Sequence, residues 1–120
     1  MLRRYEQCLV FSLPAIGSWK IEFVYAPAGY SIREHTHNGL NIKLIPLFCH
    51  NVMFYRRKKG ELFGERFYAW FRHIGRVFTI NSGDAHYFDV SKWPLIFMNI
   101  EHWLVQPTSA AEDLQLTTTH

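Results

Sequence analysis

The chain has 120 residues, 48% apolar and 17% aromatic, with 19% charged, a formal net charge of +3 and a pI near 9.0. That length supports one hydrophobic core and excludes a second, and the apolar load excludes intrinsic disorder. Two cysteines, Cys8 and Cys49, are too few and too far apart for a disulfide framework and point to thiols in a reducing compartment, and no apolar run approaches the roughly 18 residues of a membrane span.

At the N-terminus, "MLRRYEQCLVFSLPAIGS" sets arginines before an apolar run, but Glu6 and Gln7 interrupt it and Pro14 breaks it. It reads as the start of a cytoplasmic domain rather than as a secretory signal. Short runs rich in aromatic and β-branched residues then follow one another. Strands are expected at residues 7–13, 19–25, 31–37, 40–48, 52–57, 62–71, 76–80, 85–89 and 95–105, with turn chemistry at 14–18, 27–29, 38–39, 59–60, 81–84 and 92–94. This rhythm predicts an all-β sandwich or barrel. The basic run Arg56, Arg57, Lys58, Lys59, closed by Gly60, reads as a solvated hairpin tip. Beyond Pro107 the chain turns small and polar. Residues 1–107 are therefore assigned to the barrel, and residues 108–120 to a polar tail or short helix centred on 109–115.

One stretch inside this pattern carries chemistry. In "GYSIREHTHNGLN", residues 29–41, His35 and His37 stand two apart on an expected strand, so both imidazoles point to the same face a few ångströms apart. Protonated, they would repel; neutral, each offers a lone pair to one divalent ion. A second stretch, "GRVFTINSGDAH", residues 75–86, runs a strand into the turn Asn81-Ser82-Gly83-Asp84 and opens the next strand with His86.

Together the two stretches resemble the cupin family, whose motifs are commonly written G-x5-H-x-H-x3-4-E-x6-G and G-x5-P-x-G-x2-H-x3-N. Gly29, His35 and His37 match the opening of the first; Gly75, Gly83 and His86 match the second at the required spacing. The departures are as informative. Asn41 or Ile42 stands where the glutamate belongs, Phe48 or Cys49 replaces the closing glycine, Asn81 the proline and Val90 the asparagine. The resemblance implies a single cupin-type jelly-roll β-barrel over roughly residues 20–105, in which Asn38-Gly39 is the hairpin joining the His-x-His strand to the next. It implies one divalent metal (iron, zinc, manganese or nickel) held by His35, His37 and His86, with the Asn41 amide as a weak fourth ligand.

Without the glutamate, three imidazoles leave the ion's 2+ charge uncancelled, which favours a small anionic, chelating metabolite in the open positions. Resemblance to three-histidine cupins implies dioxygenase, isomerase or lyase chemistry on it. A second class is a non-catalytic cupin that holds a small molecule. A third is a nucleic-acid module built on the basic run; Glu61 and Glu65 among the arginines and a charge excess of only three argue against it. Around the pocket, Lys43 is a candidate for an anionic group, and Phe48 and Tyr68 are candidate lining rings. One of Glu101 and His102, neighbours on a late strand, should point inward as a hydrogen-bond partner or general base. Small barrels of this family often pair through edge strands, so a homodimer is expected.

Overall fold

A computed structural model describes residues 1–69, 74–90, 92–104 and 116–118 and builds them into two antiparallel sheets. The first is formed by β1 (Leu2–Tyr5), β2 (Cys8–Ser12), β3 (Trp19–Ala26), β5 (Leu40–Phe48), β8 (Phe78–Ile80) and β10 (Leu95–Trp103), in the order β1-β2-β3-β10-β5-β8. The second contains β4 (Ser31–His37), β6 (Val52–Arg57), β7 (Glu65–Ala69), β9 (Ala85–Asp89) and β11 (Leu116–Thr118), ordered β11-β4-β9-β6-β7. No helix occurs among the described residues. The helical turn expected at 109–115 lies outside them, and the described part of the C-terminal segment is strand β11, paired with β4.

Alternation of side chains explains most of this. In β2, Cys8, Val10 and Ser12 are buried while Leu9 and Phe11 are exposed; in β5, Leu40, Ile42 and Leu44 are buried while Asn41 and Lys43 are not. The inward sets of the two sheets meet in a core of aliphatic side chains threaded by the rings of Phe54, Phe78, Phe88, Phe97 and Trp103. Phe54 of β6 packs on Phe78 of β8 (5.1 Å between ring centroids), and Phe88 of β9 stacks on Phe97 of β10 (5.0 Å). Each such burial stabilises the fold by about 1.5–3 kcal/mol.

Three local features depart from the sequence reading. Strand β1 was not expected, because Leu-Arg-Arg-Tyr has no apolar period and the two-residue connection Glu6-Gln7 carries no turn residue; Glu6 nevertheless adopts φ 54°, and Tyr5 pairs with Cys8. Asn38-Gly39 does turn the chain, with Gly39 at φ 83°, but it is not a hairpin: β4 and β5 lie in different sheets, and the dipeptide forms the corner between them. Turn propensity identifies a reversal and leaves its pairing partner open. In β4, a bulge sets two residues, Arg33 and Glu34, against one, Tyr87, with Ile32 opposite Phe88 and His35 opposite His86. The extra residue switches the inward parity of β4, so that Ile32 and His35, three apart, both face the core.

The outer face of the six-stranded sheet is apolar. Phe11, Phe23, Met98 and Ile45 stand in register across β2, β3, β10 and β5, and Leu9, Tyr25 and Ile96 form a parallel row beside them. Phe11, Leu9, Tyr25 and Trp19 are exposed there, while Phe23 and Met98 are half-buried. On the other sheet the two arginines of the basic run are committed within the protein. Arg56 donates to the Thr79 carbonyl (2.9 Å) and pairs with Glu65 (3.3 Å), and Arg57 donates to the Glu61 carbonyl (3.0 Å) and pairs with Glu34 (3.4 Å).

Candidate metal centre

His35 and His86 sit opposite each other on β4 and β9, and His37 follows on the same strand as His35. Ring centroids are 4.2 Å apart for His35 and His86, 4.9 Å for His35 and His37, and 5.3 Å for His37 and His86. One ligand nitrogen from each lies within 4.8 Å of the others. His35 and His86 are only 5% and 4% exposed, and His37 is half-buried.

The turn between β8 and β9 holds His86 in this position. Gly83, at φ 88°, donates its N–H to the His37 carbonyl (2.9 Å), and the Asp84 carboxylate accepts from the backbone N–H groups of Asn81 (3.0 Å) and Lys59 (2.9 Å). Ser82 ties the turn to the β4–β5 corner twice: its hydroxyl accepts from Gly39 N–H (2.9 Å), and its own N–H donates to Asn41 Oδ1 (2.8 Å). Two blocks far apart in sequence are thereby bolted together.

All three imidazoles are held neutral. Burial pushes their pKa values down, that of His37 to about 3 with help from the neighbouring His35, and that of His86 well below the ordinary imidazole value, with both other histidines adding to the effect. At neutral pH each ring therefore keeps a lone pair for coordination. The Nδ1 of His35 lies 2.7 Å from the Arg33 carbonyl, so a proton on Nδ1 donates there and leaves Nε2 as the acceptor. His86 Nδ1 is buried without a hydrogen-bond partner. A ring nitrogen sealed from water and unsatisfied by protein fits a missing ligand-side partner, as do three uncharged donors of the type that borderline divalent metals prefer.

The three rings line a cavity of about 80 Å³ whose opposite wall comes from the other sheet. That wall carries Tyr5, Glu22, Asn99 and Glu101. Glu22 and Glu101 hydrogen-bond to each other; burial, and then the bond to Glu22 and its charge, push the Glu101 carboxyl up to about 10. Burial also works against the charge of Glu22, but hydrogen bonds from Glu101, from Ser12 Oγ (2.7 Å) and from Arg3 (2.9 Å) hold it ionised. The pair thus keeps one proton at neutral pH.

Of the residues expected at the site, the structure brings His35, His37, His86 and Glu101 to this cavity. It does not bring Asn41, Lys43, Phe48, Tyr68 or His102. Asn41 and Lys43 lie on the outer face of β5, because β5 crosses to the other sheet and its inward set is Leu40, Ile42 and Leu44; Asn41 spends its amide oxygen on Ser82. Phe48 (41% exposed) ends β5 and Tyr68 (54% exposed) lies on the outer side of edge strand β7. His102 alternates outward from Glu101 and stacks on Trp19 at 4.3 Å. Glu22 and Asn99 were not expected. The legible signal for Glu22 is a carboxylate in phase with Val24 and Ala26, the buried set of β3.

Neither a family model nor a curated protein matches the sequence. Solved structures do match the fold. The capsular polysaccharide assembling protein CapF of Staphylococcus aureus superposes with a TM-score of 0.76 at 10% identity, over 100% of this chain and 34% of CapF, so the chain spans about a third of that protein. The Cnp3 cupin domain of Schizosaccharomyces pombe gives 0.65 at 14% identity, over 86% of this chain and 68% of that one. Lactobacillus farciminis oxalate decarboxylase, solved as a formate complex, gives 0.69 at 15% identity, over 94% and 37%. With two antiparallel sheets closing over one core and these structural neighbours, the chain has the cupin fold, an all-β jelly-roll barrel.

Proposed function

We propose that His35, His37 and His86 hold one divalent metal ion and that the protein acts on a small anionic metabolite bound there, by dioxygenase, isomerase or lyase chemistry. The observation that carries this reading is the convergence of three neutral imidazoles, one with an orphaned buried nitrogen, on a single cavity. Iron, zinc, manganese and nickel are all compatible with the donors. Bound at this position, the ion would supply Lewis-acid polarisation or, in the case of iron, electron transfer. The chain's own contributions are separate: the Arg33 carbonyl sets the His35 tautomer, Phe88 and Phe97 make part of the lining apolar, and Glu101 holds a proton within the same cavity. The small volume favours a compact metabolite. Both cysteines are buried as thiols, in keeping with a cytoplasmic home. Elemental analysis of untagged protein, with mass spectrometry of whatever it releases on denaturation, should find about one metal per chain and an anionic small molecule. Protein that takes up no divalent metal at neutral pH would overturn the reading.

A second reading is a non-catalytic cupin that holds a small molecule in the same cavity, and with either reading the apolar outer face of the six-stranded sheet supports pairing of two copies. We place the contact of a homodimer on that face rather than on the edge strands. The row through Phe11, Phe23 and Met98 bears no charge, and a twofold axis would set it against its own copy. Sedimentation should show a dimer whose dissociation constant rises at least about tenfold on Phe11→Glu, since truncated or charged hot-spot aromatics cost that much. An unchanged dimer in that variant would move the contact elsewhere.

A further inference from the structure

We propose that Glu22, Asn99 and Glu101 form a subsite for a hydroxyl group carried by the same ligand whose anionic end lies at the histidines, so that the ligand is a small hydroxy acid. This deepens the three-histidine reading and rests on it.

The geometry comes from register. Glu22 of β3 is the direct cross-strand partner of Asn99 of β10, and Glu101 follows Asn99 by two residues, so all three share the inward face. All three line the cavity that His35, His37 and His86 line from the other sheet. A ligand held at the histidines therefore extends toward this wall.

The wall has a specific vacancy in its hydrogen bonding. Asn99 Oδ1 is shut off from solvent and accepts no hydrogen bond from the protein, whereas Glu22 is saturated by Arg3, Ser12 and Glu101. An acceptor buried in this state requires a donor. An ammonium group would supply one, but the Glu22 charge is already matched by Arg3 at 2.9 Å, and no net negative charge remains on this wall to hold a cation. A hydroxyl suits the site better. It donates to Asn99 Oδ1 without adding charge, and its own oxygen can accept in turn.

The test is a matched pair of probes of equal size, 3-hydroxypropionate and butyrate, titrated into cobalt(II)-loaded full-length protein and followed by calorimetry and the cobalt visible spectrum. The hydroxy acid should bind about tenfold more tightly, the discrimination expected when an analogue leaves a buried polar group unpaired. Asn99→Leu, with Asn99→Ala as a second variant should the first misfold, should bring the two acids to within about twofold while leaving cobalt binding intact. Equal affinities in the unaltered protein, no binding of either acid, or a preference that survives both substitutions and so arises from chelation alone, would overturn the subsite and leave the metal reading standing. Failure to bind cobalt would overturn both.

Discussion

His86→Ala protein should carry less than about a tenth of the metal bound by the unaltered chain, with affinity reduced by more than the 10- to 100-fold typical of losing a mere outer partner of a ligand. His86 is the member contributed by the second sequence block, and without it only the two β4 imidazoles remain, a pair that cannot enclose an ion from two strands. The fold should survive. Removing the ring vacates space beside Phe54 and Phe88, whose centroids lie 6.2 and 6.1 Å away, and this destabilises; removing an unsatisfied buried nitrogen acts in the opposite direction. Metal-free forms of the two proteins should therefore differ by less than about 2 kcal/mol. The loaded forms should differ more, because metal at a hundred times its dissociation constant adds about 2.7 kcal/mol to the unaltered protein and nothing to the variant. Melting curves with and without metal, together with metal content, measure both quantities. Retention of metal at full stoichiometry would remove His86 from the site.

Glu101→Gln should flatten the dependence of stability on pH above neutrality. The Glu101 carboxyl is raised in the folded state, by burial first and by Glu22 second, so its contribution is fully present below the ordinary carboxylate range near 4.5 and is lost as pH rises toward about 10. Glu22 behaves oppositely: held low, it contributes above the ordinary range and loses that contribution as pH falls toward about 2. Between pH 7 and 8.5 Glu22 is constant, and the folded chain carries one proton at Glu101 that the unfolded chain has released. Stability should then fall by up to about 1.4 kcal/mol per pH unit, the limit for one proton. Glutamine keeps an N–H that can donate to Glu22 and needs no proton. Urea midpoints across that window should slope downward more steeply for the unaltered protein than for the variant, whose remaining slope near pH 8.5 comes from the buried Cys8 and Cys49 thiols, both raised by burial; parallel slopes would mean that the pair does not hold its proton.

Much of the architecture was legible because it depends on local pattern. Alternating apolar residues marked β2, β3, β5, β6, β9 and β10, and Gly83 and Asn38-Gly39 marked real reversals at positive φ or beside it. The cupin resemblance implied a common centre for His35, His37 and His86, and the three rings do converge. Strand β1 was not legible. Its residues show no apolar alternation, and the partner that engages Arg3, Glu22 of β3, lies far along the chain, so nothing local marks the strand.

By itself the sequence determined the strand periodicity and most of the turn positions, since these follow from side-chain alternation and residue chemistry over short spans, whereas the grouping of His86 with His35 and His37 was implied by the cupin resemblance. Only the tertiary structure decided which sheet each strand joins. Assignment of β5 to the sheet opposite β4 turned Asn41 and Lys43 away from the histidines, and pairing of β3 with β10 brought Glu22 and Asn99 toward them. The bulge between Ile32 and His35 likewise decided that the His-x-His face looks inward. These outcomes depend on pairings between residues distant in sequence, where one residue of register reverses every side chain, and no local pattern records that choice.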